Sequence, residues 1–240
     1  MHTFTDIKAV IFDYGGTLDT PARHWASVIF EAYRQAGVPV SNEEFRTAYV
    51  YGERALAKNP IIRPADDFKT VMLKKVREEF ADLSQRGVWN PEAAEREKLI
   101  EAVAAYCDDY ARRTAAKSSE VLKALSGKYK LVLVSNFYGN IHAVLSAYGL
   151  LPYFSEVVES AVVGVRKPAP AIYRLGVDAA GCEPGEVVVV GDSFGKDIVP
   201  AKTVGCKAVW LKGEEWKPEA RDESLPDAVI TSLPQLLPLL

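Results

Sequence analysis

Val10-Ile11-Phe12-Asp13-Tyr14-Gly15-Gly16-Thr17-Leu18, near the start of the chain, joins an apolar run to an acid and two glycines. The apolar residues predict a short buried strand that ends at the acid, because glycines interrupt a strand. Ligands of open α/β sheets bind beyond the carboxyl ends of the strands, so Asp13 would stand at such a site. Gly15 and Gly16 would let the backbone turn sharply and approach a ligand closely. An ordinary strand-ending turn uses the same residue types, so the remaining sequence has to decide between the two.

The C-terminal half of the chain alternates short apolar strands with helices. Helices are predicted at 141–148, 170–180 and 198–204. Strands are predicted at 131–134, 157–158, 187–190, 207–211 and 228–230. Strands that are apolar throughout are buried on both faces, which is typical of a parallel sheet covered by helices. The sequence therefore predicts the α/β fold class, with 8–12 as the first strand of the sheet.

Residues 22–116 show no strong strand signal and predict a block of amphipathic helices instead. Ser41 and Glu44 have the spacing of a capping box, and Gly37 is predicted to end a helix. Helices are predicted at 24–36, 42–58, 64–83 and 90–114, with a separate short helix at 119–126. This block is interpreted as an insertion between the first and second strands of the sheet.

Charge and composition restrict the class of protein. The 29 basic and 32 acidic residues give a net charge of −3 without a basic stripe, which argues against a nucleic-acid partner. The three cysteines are widely spaced and form no CxxC pair, so free thiols in a reducing cytoplasm are expected. The N-terminus does not resemble a signal peptide, and no apolar run approaches the ~20 residues of a membrane span. A cytoplasmic protein with no membrane partner is therefore expected.

Three later strands also end in residues that carry chemistry. Ser135-Asn136 offers a hydroxyl and backbone N–H groups that suit an anion. Lys167 stands in a loop stiffened by Pro168. Gly191-Asp192-Ser193 and the nearby Asp197 supply carboxylates, whose oxygens suit Mg²⁺. All of these would meet at one edge of a parallel sheet, where two acids could hold Mg²⁺ and the remaining groups a phosphoryl group.

As a set, these strand ends resemble the motifs of the haloacid dehalogenase (HAD) superfamily, hydrolases that use an aspartate nucleophile. Asp13-Tyr14-Gly15-Gly16-Thr17 stands where that family has DxDGT, and Ser135 matches its second motif. Lys167-Pro168 matches the third motif, and Gly191-Asp192-Ser193 with Asp197 matches the fourth. The resemblance implies a Rossmann-like core formed by residues 1–21 and 117–240. It implies that residues 22–116 form a helical cap inserted after the first motif.

The resemblance also implies a function, which is the Mg²⁺-dependent hydrolysis of a small phosphorylated substrate. Asp13 would attack phosphorus and form an aspartyl-phosphate, which splits one hard displacement into two easier ones. Asp197 would orient Lys167 or a metal-bound water from outside the ligand set. Mg²⁺ would be held by Asp13, Asp192 and the backbone carbonyl of Gly15. The phosphoryl group would be held by Ser135, Asn136, Lys167 and Gly16.

One position departs from the pattern, because Gly15 stands where phosphatases of the family carry a second Asp. That Asp would protonate the leaving oxygen and then activate water, so slow turnover is expected. His24 or Asp19 could replace it. The same departure would suit a non-catalytic protein that binds phosphate or a partner. The sequence leaves the substrate and the oligomeric state open.

Phosphonatases and dehalogenases of the same family break a different bond. The phosphonatases have a small residue at the position of Gly15 and use a cap lysine to form a Schiff base, for which Lys58 is the candidate. The dehalogenases need no metal, so the acidic loop at Asp192 disfavours that reaction. The cap residues that could reach a polar substrate are Arg23, His24, Arg54, Lys58 and Arg63.

Overall fold

Six parallel strands form the centre of the computed structural model, which describes residues 3–214 and 221–240. The strands are β1 (Ala9–Phe12), β2 (Lys130–Ser135), β3 (Glu156–Glu159), β4 (Val187–Gly191), β5 (Lys207–Leu211) and β6 (Ala228–Ile230). Their order across the sheet is β3-β2-β1-β4-β5-β6. This is the order of a Rossmann-like, doubly wound sheet, in which ligands bind at the point where the strand order reverses. The predicted α/β fold class is confirmed.

The strand that carries the first motif lies at that reversal point, because β1 pairs with both β2 and β4. Phe12 is the register partner of Leu133 on one side and of Val190 on the other. The residues that follow these three strands therefore emerge side by side at one edge. The backbone N–H of Asp13 extends the pairing by donating to the carbonyl of Val190 at 3.0 Å.

Two apolar layers cover the sheet. Val10 and Phe12 face the larger core, which continues into the helices between β1 and β2. Ile11 faces the other core, which packs under a helix at 171–180. A side chain at Gly176 of that helix would approach Val134 to 2.7 Å, so the glycine lets the helix lie close to the sheet. This double covering explains why the central strands are apolar throughout.

Four helices connect β1 to β2. They are α1 (Trp25–Ala36), α2 (Asn42–Lys58), α3 (Phe68–Gln85) and α4 (Ala93–Ser126). Every residue of the predicted helical block at 22–116 is described, and none lies in a strand. The predicted capping box is confirmed, because the Ser41 hydroxyl accepts from the Glu44 N–H and the Glu44 carboxylate accepts from the Ser41 N–H. Gly37 ends α1 in the left-handed conformation, as its position predicted.

The predicted break near residue 114 is wrong, since α4 continues without interruption to Ser126. Residues 115–118 contain neither glycine nor proline, and Ala115 and Ser118 are buried. The Ser118 hydroxyl donates to the carbonyl of Leu18 at 2.8 Å, which ties the middle of α4 to the loop after β1. The predicted domain boundary between residues 116 and 117 therefore falls inside a helix.

Three of the remaining helices lie where helices were predicted, at 141–148, 170–180 and 198–204, whereas the short helix at 160–163 was not predicted. The remaining helices are α5 (Ile141–Ala147), α6 (Ser160–Val163), α7 (Ala171–Ala180) and α8 (Val199–Val204). A single π-helical turn, Phe194–Ile198, precedes α8. Short 3-10 segments occur at Leu151–Tyr153, Pro184–Glu186 and Leu233–Leu239. Among the helices of the described ranges, none is both long enough and apolar enough to cross a membrane.

Candidate active site

Asp13 lies directly after β1 and is almost completely buried. The Lys167 ammonium donates to Asp13 Oδ1 at 2.6 Å and to Asp197 Oδ1 at 2.8 Å. The Tyr173 hydroxyl also donates to Asp197 Oδ1, at 2.7 Å. Because the Ser193 N–H donates to Asp197 Oδ2 at 2.9 Å, both oxygens of Asp197 are engaged inside the protein. Asp197 therefore holds the lysine that contacts Asp13.

Asn136 fixes the backbone of the Lys167 loop. Its Oδ1 accepts from the Lys167 N–H at 2.9 Å, and its Nδ2 donates to the Lys167 carbonyl at 3.1 Å. The side chain that the sequence assigns to phosphate binding thus also positions the lysine. Ser135, one residue earlier, is buried at the end of β2.

Asp192 follows β4 on the other side of β1. Its N–H donates to the Thr17 hydroxyl at 3.1 Å, and that hydroxyl lies 3.4 Å from Asp192 Oδ1. Gly16 adopts φ +86°, and a Cβ there would stand 2.3 Å from Asp192 Oδ2. The second glycine of the first motif is therefore required by both its backbone conformation and its close approach to this carboxylate. The first and fourth motifs are packed directly on each other.

Three carboxylates meet at this edge, and their ligand oxygens in Asp13, Asp192 and Asp197 lie within 4.8 Å of one another. Burial raises the pKa of Asp13 to about 6, although Lys167 opposes the shift. Burial, together with Asp197 and Asp13, also raises the pKa of Asp192 well above its usual range. One ammonium does not neutralise three carboxylates, so a cation at this point would relieve the remaining repulsion. Oxygen ligands of this kind suit a hard divalent cation.

A cavity of about 470 Å³ opens above Asp13. It lies between the sheet edge and the helices that connect β1 to β2. Its lining brings together all the predicted site residues, namely Asp13, Gly15, Gly16, Asp19, His24, Ser135, Asn136, Lys167, Asp192 and Asp197. The convergence of the strand ends that the sequence predicted is therefore present.

Gly15 has room for a side chain. A Cβ at this position would meet no heavy atom within 4 Å, and the backbone does not adopt positive φ. The residue is also exposed to the cavity. Neither a lack of space for a Cβ nor the backbone conformation therefore requires glycine at this position. What the chain lacks here, compared with an aspartate, is a carboxyl group.

His24, the first candidate for the missing acid/base, is a neutral ring at pH 7, because burial lowers its pKa to about 4. Its Nδ1 accepts from the Ala26 N–H at 3.1 Å and caps α1, which leaves the proton of the neutral ring on Nε2. A neutral imidazole is a weak acid, and the only nitrogen that could accept a proton, Nδ1, already accepts the hydrogen bond from Ala26. His24 is therefore poorly suited to the role.

Asp19, the second candidate, is almost fully buried at the first turn after the motif. Its Oδ1 accepts from the Gly16 N–H and its Oδ2 from the Trp25 indole, both at 2.8 Å. Burial raises its pKa to about 7, against these stabilising hydrogen bonds. The carboxyl group joins the motif loop to the start of α1, and its titration range is that of a general acid/base.

The cap residues that the sequence singled out divide into two groups. Arg54, Lys58 and Arg63 are exposed and lie outside the cavity lining among the described residues. Arg23 and His24 do line the cavity. The Arg23 guanidinium donates to Glu31 at 2.7 Å, so it is already paired.

Sequence reasoning missed several polar cavity residues and the tyrosine that holds Asp197. Among the described residues, the missed cavity residues are Tyr49, Glu53, Lys75, Tyr138, Lys196, Glu214 and Arg221, and the tyrosine is Tyr173. Tyr173 lies on the apolar face of α7, where the sequence pattern indicates only core packing. Lys75 shares the buried face of α3 with Val71, Met72 and Val76, and a charge within such a stripe was the available signal.

The chain is similar in sequence and in fold to known hydrolases. A family model described as haloacid dehalogenase-like hydrolase matches residues 7–205. Phosphoglycolate phosphatase of Shigella boydii is 30% identical over an alignment of 264 residues, which covers all of this chain and 95% of that protein. Glyceraldehyde 3-phosphate phosphatase of Pyrococcus furiosus is 40% identical over 89 residues, which is 37% of each chain. A solved dehalogenase with an intermediate complex is 19% identical, with a TM-score of 0.67 over 99% of this chain and 98% of that one.

Proposed function

This chain belongs to the haloacid dehalogenase-like hydrolases, and we propose that it is a magnesium-dependent phosphatase of small phosphate esters that acts through an aspartyl-phosphate at Asp13. The observation that carries the proposal is the Lys167 ammonium, which lies 2.6 Å from the Asp13 carboxylate at the base of a cavity. The relatives matched in sequence that are named above are phosphatases by name. The fold alone does not decide the reaction, since a dehalogenase shares it.

In the first step, a carboxylate oxygen of Asp13 forms a bond to phosphorus while the bond to the leaving oxygen breaks. Lys167 offsets negative charge on Asp13 and on the phosphoryl oxygens, which is an electrostatic contribution of the kind that dominates many enzymes. In the second step, water attacks the phosphorus of the aspartyl-phosphate, which releases inorganic phosphate and restores the Asp13 carboxylate. Ser135 and Gly16 line the cavity where the phosphoryl oxygens would lie.

The residues that would hold Mg²⁺ are Asp13, Asp192 and the carbonyl of Gly15. Their oxygens form the donor set that this ion prefers. The pKa values of Asp13 and Asp192 are raised by burial first and by neighbouring carboxylates second, and a bound cation would favour the ionised form of both. Bound Mg²⁺ would supply charge that offsets the phosphoryl oxygens. Asp197, with both oxygens engaged by Lys167, Tyr173 and Ser193, would act outside the ligand set.

The leaving oxygen needs a proton, and Gly15 cannot give one. We propose that turnover is slow for this reason. Both Asp19 and His24 line the cavity, but Asp19 is better suited to act in place of the missing acid, because its pKa is about 7 whereas that of His24 is about 4. Gly15 also favours the second candidate function, a protein of this family that binds phosphate without turning it over.

Three further features are part of the proposal. Residues 22–116 would act as a cap over the core formed by 1–21 and 117–240, with a small phosphorylated molecule bound between them. The cytoplasm would be the location, which the free thiols of Cys107, Cys182 and Cys206 support. A cap lysine at Lys58 is not favoured as a Schiff-base group, because the side chain is exposed outside the cavity lining.

A panel of phosphate esters with Mg²⁺ tests the proposal. We expect inorganic phosphate release by the wild type and a loss to background in Asp13→Asn, because the amide is not a nucleophile. Asp178→Asn on the exposed face of α7 is the matched control and should keep the wild-type rate. Equal release by Asp13→Asn would contradict the mechanism. Mg²⁺-dependent binding of a fluoride phosphate mimic with no turnover of any ester would favour the non-catalytic function.

A further inference from the structure

An ion pair between a buried lysine and a partly exposed glutamate, framed by two tyrosines, forms one side of the cavity above Asp13. Glu53 comes from α2, Lys75 from α3 and Tyr138 from the loop after β2, while Tyr49 lies one helical turn before Glu53. We call these four residues the cap wall. All four line the same cavity as Asp13 and Lys167, so a substrate whose phosphoryl group lies at Asp13 would direct its leaving group toward this part of the protein.

The two charged residues of the cap wall, Lys75 and Glu53, pair with each other. The Lys75 ammonium forms a short ion pair with Glu53 Oε1 and lies 4.0 Å from the centroid of the Tyr49 ring. The Tyr138 hydroxyl donates to the other oxygen, Glu53 Oε2, at 3.1 Å. The Lys75 side chain is 5% exposed, whereas that of Glu53 is 39% exposed. The Glu53 carboxylate is therefore more accessible to a ligand in the cavity than the Lys75 ammonium is.

The cap wall carries a net charge close to zero near pH 7. Burial is the largest influence on the pKa of Lys75 and lowers it, but Glu53, Tyr138 and Glu79 together raise it, so the ammonium persists. Burial likewise raises the pKa of Glu53, but Lys75, Tyr138 and Lys196 together lower it below its usual value. Glu79 lies one helical turn after Lys75 on α3, and burial raises its pKa to about 7. When ionised, Glu79 adds negative charge next to the ion pair. With Glu79 included, the wall is neutral or slightly negative.

We propose that the cap wall selects phosphate esters whose leaving group is neutral and carries hydroxyl groups, and that it disfavours leaving groups that carry a carboxylate. The inference rests on the proposed phosphatase function. A hydroxyl can donate to Glu53 and accept from Lys75 or Tyr138, which satisfies both members of the pair. A carboxylate can only accept, and it would meet the exposed oxygens of Glu53, where like charges repel.

The rest of the cavity is consistent with such a leaving group. Trp25, Ile29, Phe68 and Met72 line it beside the cap wall and provide apolar surface for the C–H groups of a polyol or sugar. Aromatic rings are well suited to this because they bury apolar area without requiring hydrogen bonds from the ligand.

Among the described residues, the other basic side chains of the cavity are Arg23, His24, Lys196 and Arg221. The Arg221 guanidinium lies 5.7 Å from the centroid of the Phe194 ring, on the core side of the cavity lining rather than in the cap wall. Arg23 pairs with Glu31 at 2.7 Å and lies 3.8 Å from Glu214. His24 is neutral at pH 7, since burial lowers its pKa to about 4. Lys196 lines the cavity and contributes to the lowered pKa of Glu53, but its side chain is exposed, so solvent screens its charge.

We expect a substrate preference that differs from the one in the name of a relative. Phosphoglycolate, which appears in the name of the Shigella boydii protein, has a leaving group that carries a carboxylate. The cap wall predicts that this chain prefers an ester such as glycerol 3-phosphate, whose leaving group is neutral and carries two hydroxyls.

The test compares kcat/KM for glycerol 3-phosphate and phosphoglycolate, with p-nitrophenyl phosphate as a general reporter of hydrolysis. We expect the wild type to prefer glycerol 3-phosphate by at least about tenfold, since like-charge contacts suppress the wrong partner. Glu53→Gln should shrink or invert that ratio, because Lys75 then lacks its anion. Lys75→Met should widen it, which provides a second test with the opposite sign. Glu97→Gln removes a carboxylate from an exposed cap ion pair with Arg77 and should leave the ratio unchanged.

Several outcomes would overturn the inference. A wild type that prefers phosphoglycolate would contradict it, and loss of that preference in Lys196→Ala or in Arg221→Ala would assign the selectivity to the side chain removed. A ratio that stays the same in both Glu53→Gln and Lys75→Met would also contradict it. Hydrolysis of p-nitrophenyl phosphate without selectivity removes this inference alone, whereas no hydrolysis of any of the three esters removes the proposed function as well.

Discussion

Gly15 is the residue at which this chain departs from the first motif of its family. The structure leaves space for a Cβ there, because that atom would have no neighbour within 4 Å. Gly16 is the opposite case, since a Cβ would lie 2.3 Å from Asp192 Oδ2. Of the two adjacent glycines, only the second is required by packing, and the first can be replaced in an experiment that isolates its chemistry.

We expect Gly15→Asp to raise the steady-state rate on alkyl phosphates by about 10²- to 10⁴-fold, the usual contribution of a positioned general acid/base. An activated aryl phosphate should gain less, because its leaving group needs little protonation. Gly15→Asn is the matched control, with almost the same size and no acid. A fall in rate with both variants would mean that the space at residue 15 admits the substrate. If His24→Ala in the wild type then lowers the steady-state rate by the same factor, His24 would be identified as an acid/base already present.

Asp13, Ser135 and Asp192 could be predicted from the sequence because each lies at or directly after the end of an apolar strand. The ends of parallel strands meet at one edge, so these residues had to lie near one another once the sheet was recognised. Lys167 is different, because α6 separates it from β3 and only the fold of the following loop brings it to Asp13. The hydrogen bonds between Asn136 and the Lys167 backbone could not be predicted, because they depend on how two loops pack. The same holds for Tyr173, which looks like a core residue until its hydroxyl is seen to bind Asp197.

At the scale of elements, α3 carries an acid that is buried among the helices between β1 and β2. Glu79 is fully buried, and Tyr33 donates to its Oε2 at 2.7 Å. Its Oε1 has no hydrogen-bond partner in the described parts of the chain. Burial raises the pKa of Glu79 to about 7, although Lys75 and Tyr33 act in the opposite direction. The folded protein therefore retains a proton that the unfolded chain releases near a pH of about 4.3.

This difference predicts a pH-dependent stability. Between about pH 4.3 and pH 7 the native state binds more protons at Glu79 than the unfolded state, so stability falls as pH rises through this range. Glu79→Gln removes that contribution and should gain stability relative to the wild type between about pH 5 and pH 8.5, by on the order of 3 kcal/mol. Urea unfolding of both proteins at several pH values, without metal, measures the difference in their free energies of unfolding. Titrating groups that behave alike in the two proteins do not contribute to this difference. Parallel stability profiles would contradict the prediction.

The helices also show where local sequence signals succeed. Caps and stops that depend on neighbouring residues, such as the Ser41–Glu44 box and Gly37, were predictable because their hydrogen bonds are local. The continuation of α4 past residue 114 was not, because no glycine or proline marks either outcome. The burial of Ala115 and Ser118, which favours continuation, comes from packing against distant parts of the chain.

At the scale of the whole molecule, the strand order places the site, and the sequence predicted the strands without their order. The reversal of order at β1 puts Asp13 and Asp192 on adjacent strands. Two hydrogen bonds connect the loop after β2 to the helical block, from Tyr138 to Glu53 at 3.1 Å and from Asn140 to the Asp66 carbonyl at 2.7 Å. The division into cap and core stays a prediction, and these contacts lie where the two parts would meet.

The acidic sheet edge predicts that the stability of the whole molecule depends on Mg²⁺ and pH together. A ligand that binds only the folded state at a hundred times its Kd adds about 2.7 kcal/mol of stability. At about pH 8 we expect Mg²⁺ to raise the Tm. At about pH 5.5 the rise should be smaller, because the raised pKa of Asp13, about 6, means that the ion must displace a proton. Thermal unfolding with and without Mg²⁺ measures both effects. Asp192→Asn should lose the Mg²⁺ response and Asp178→Asn should keep it, whereas an equal rise in both variants would place the ion elsewhere.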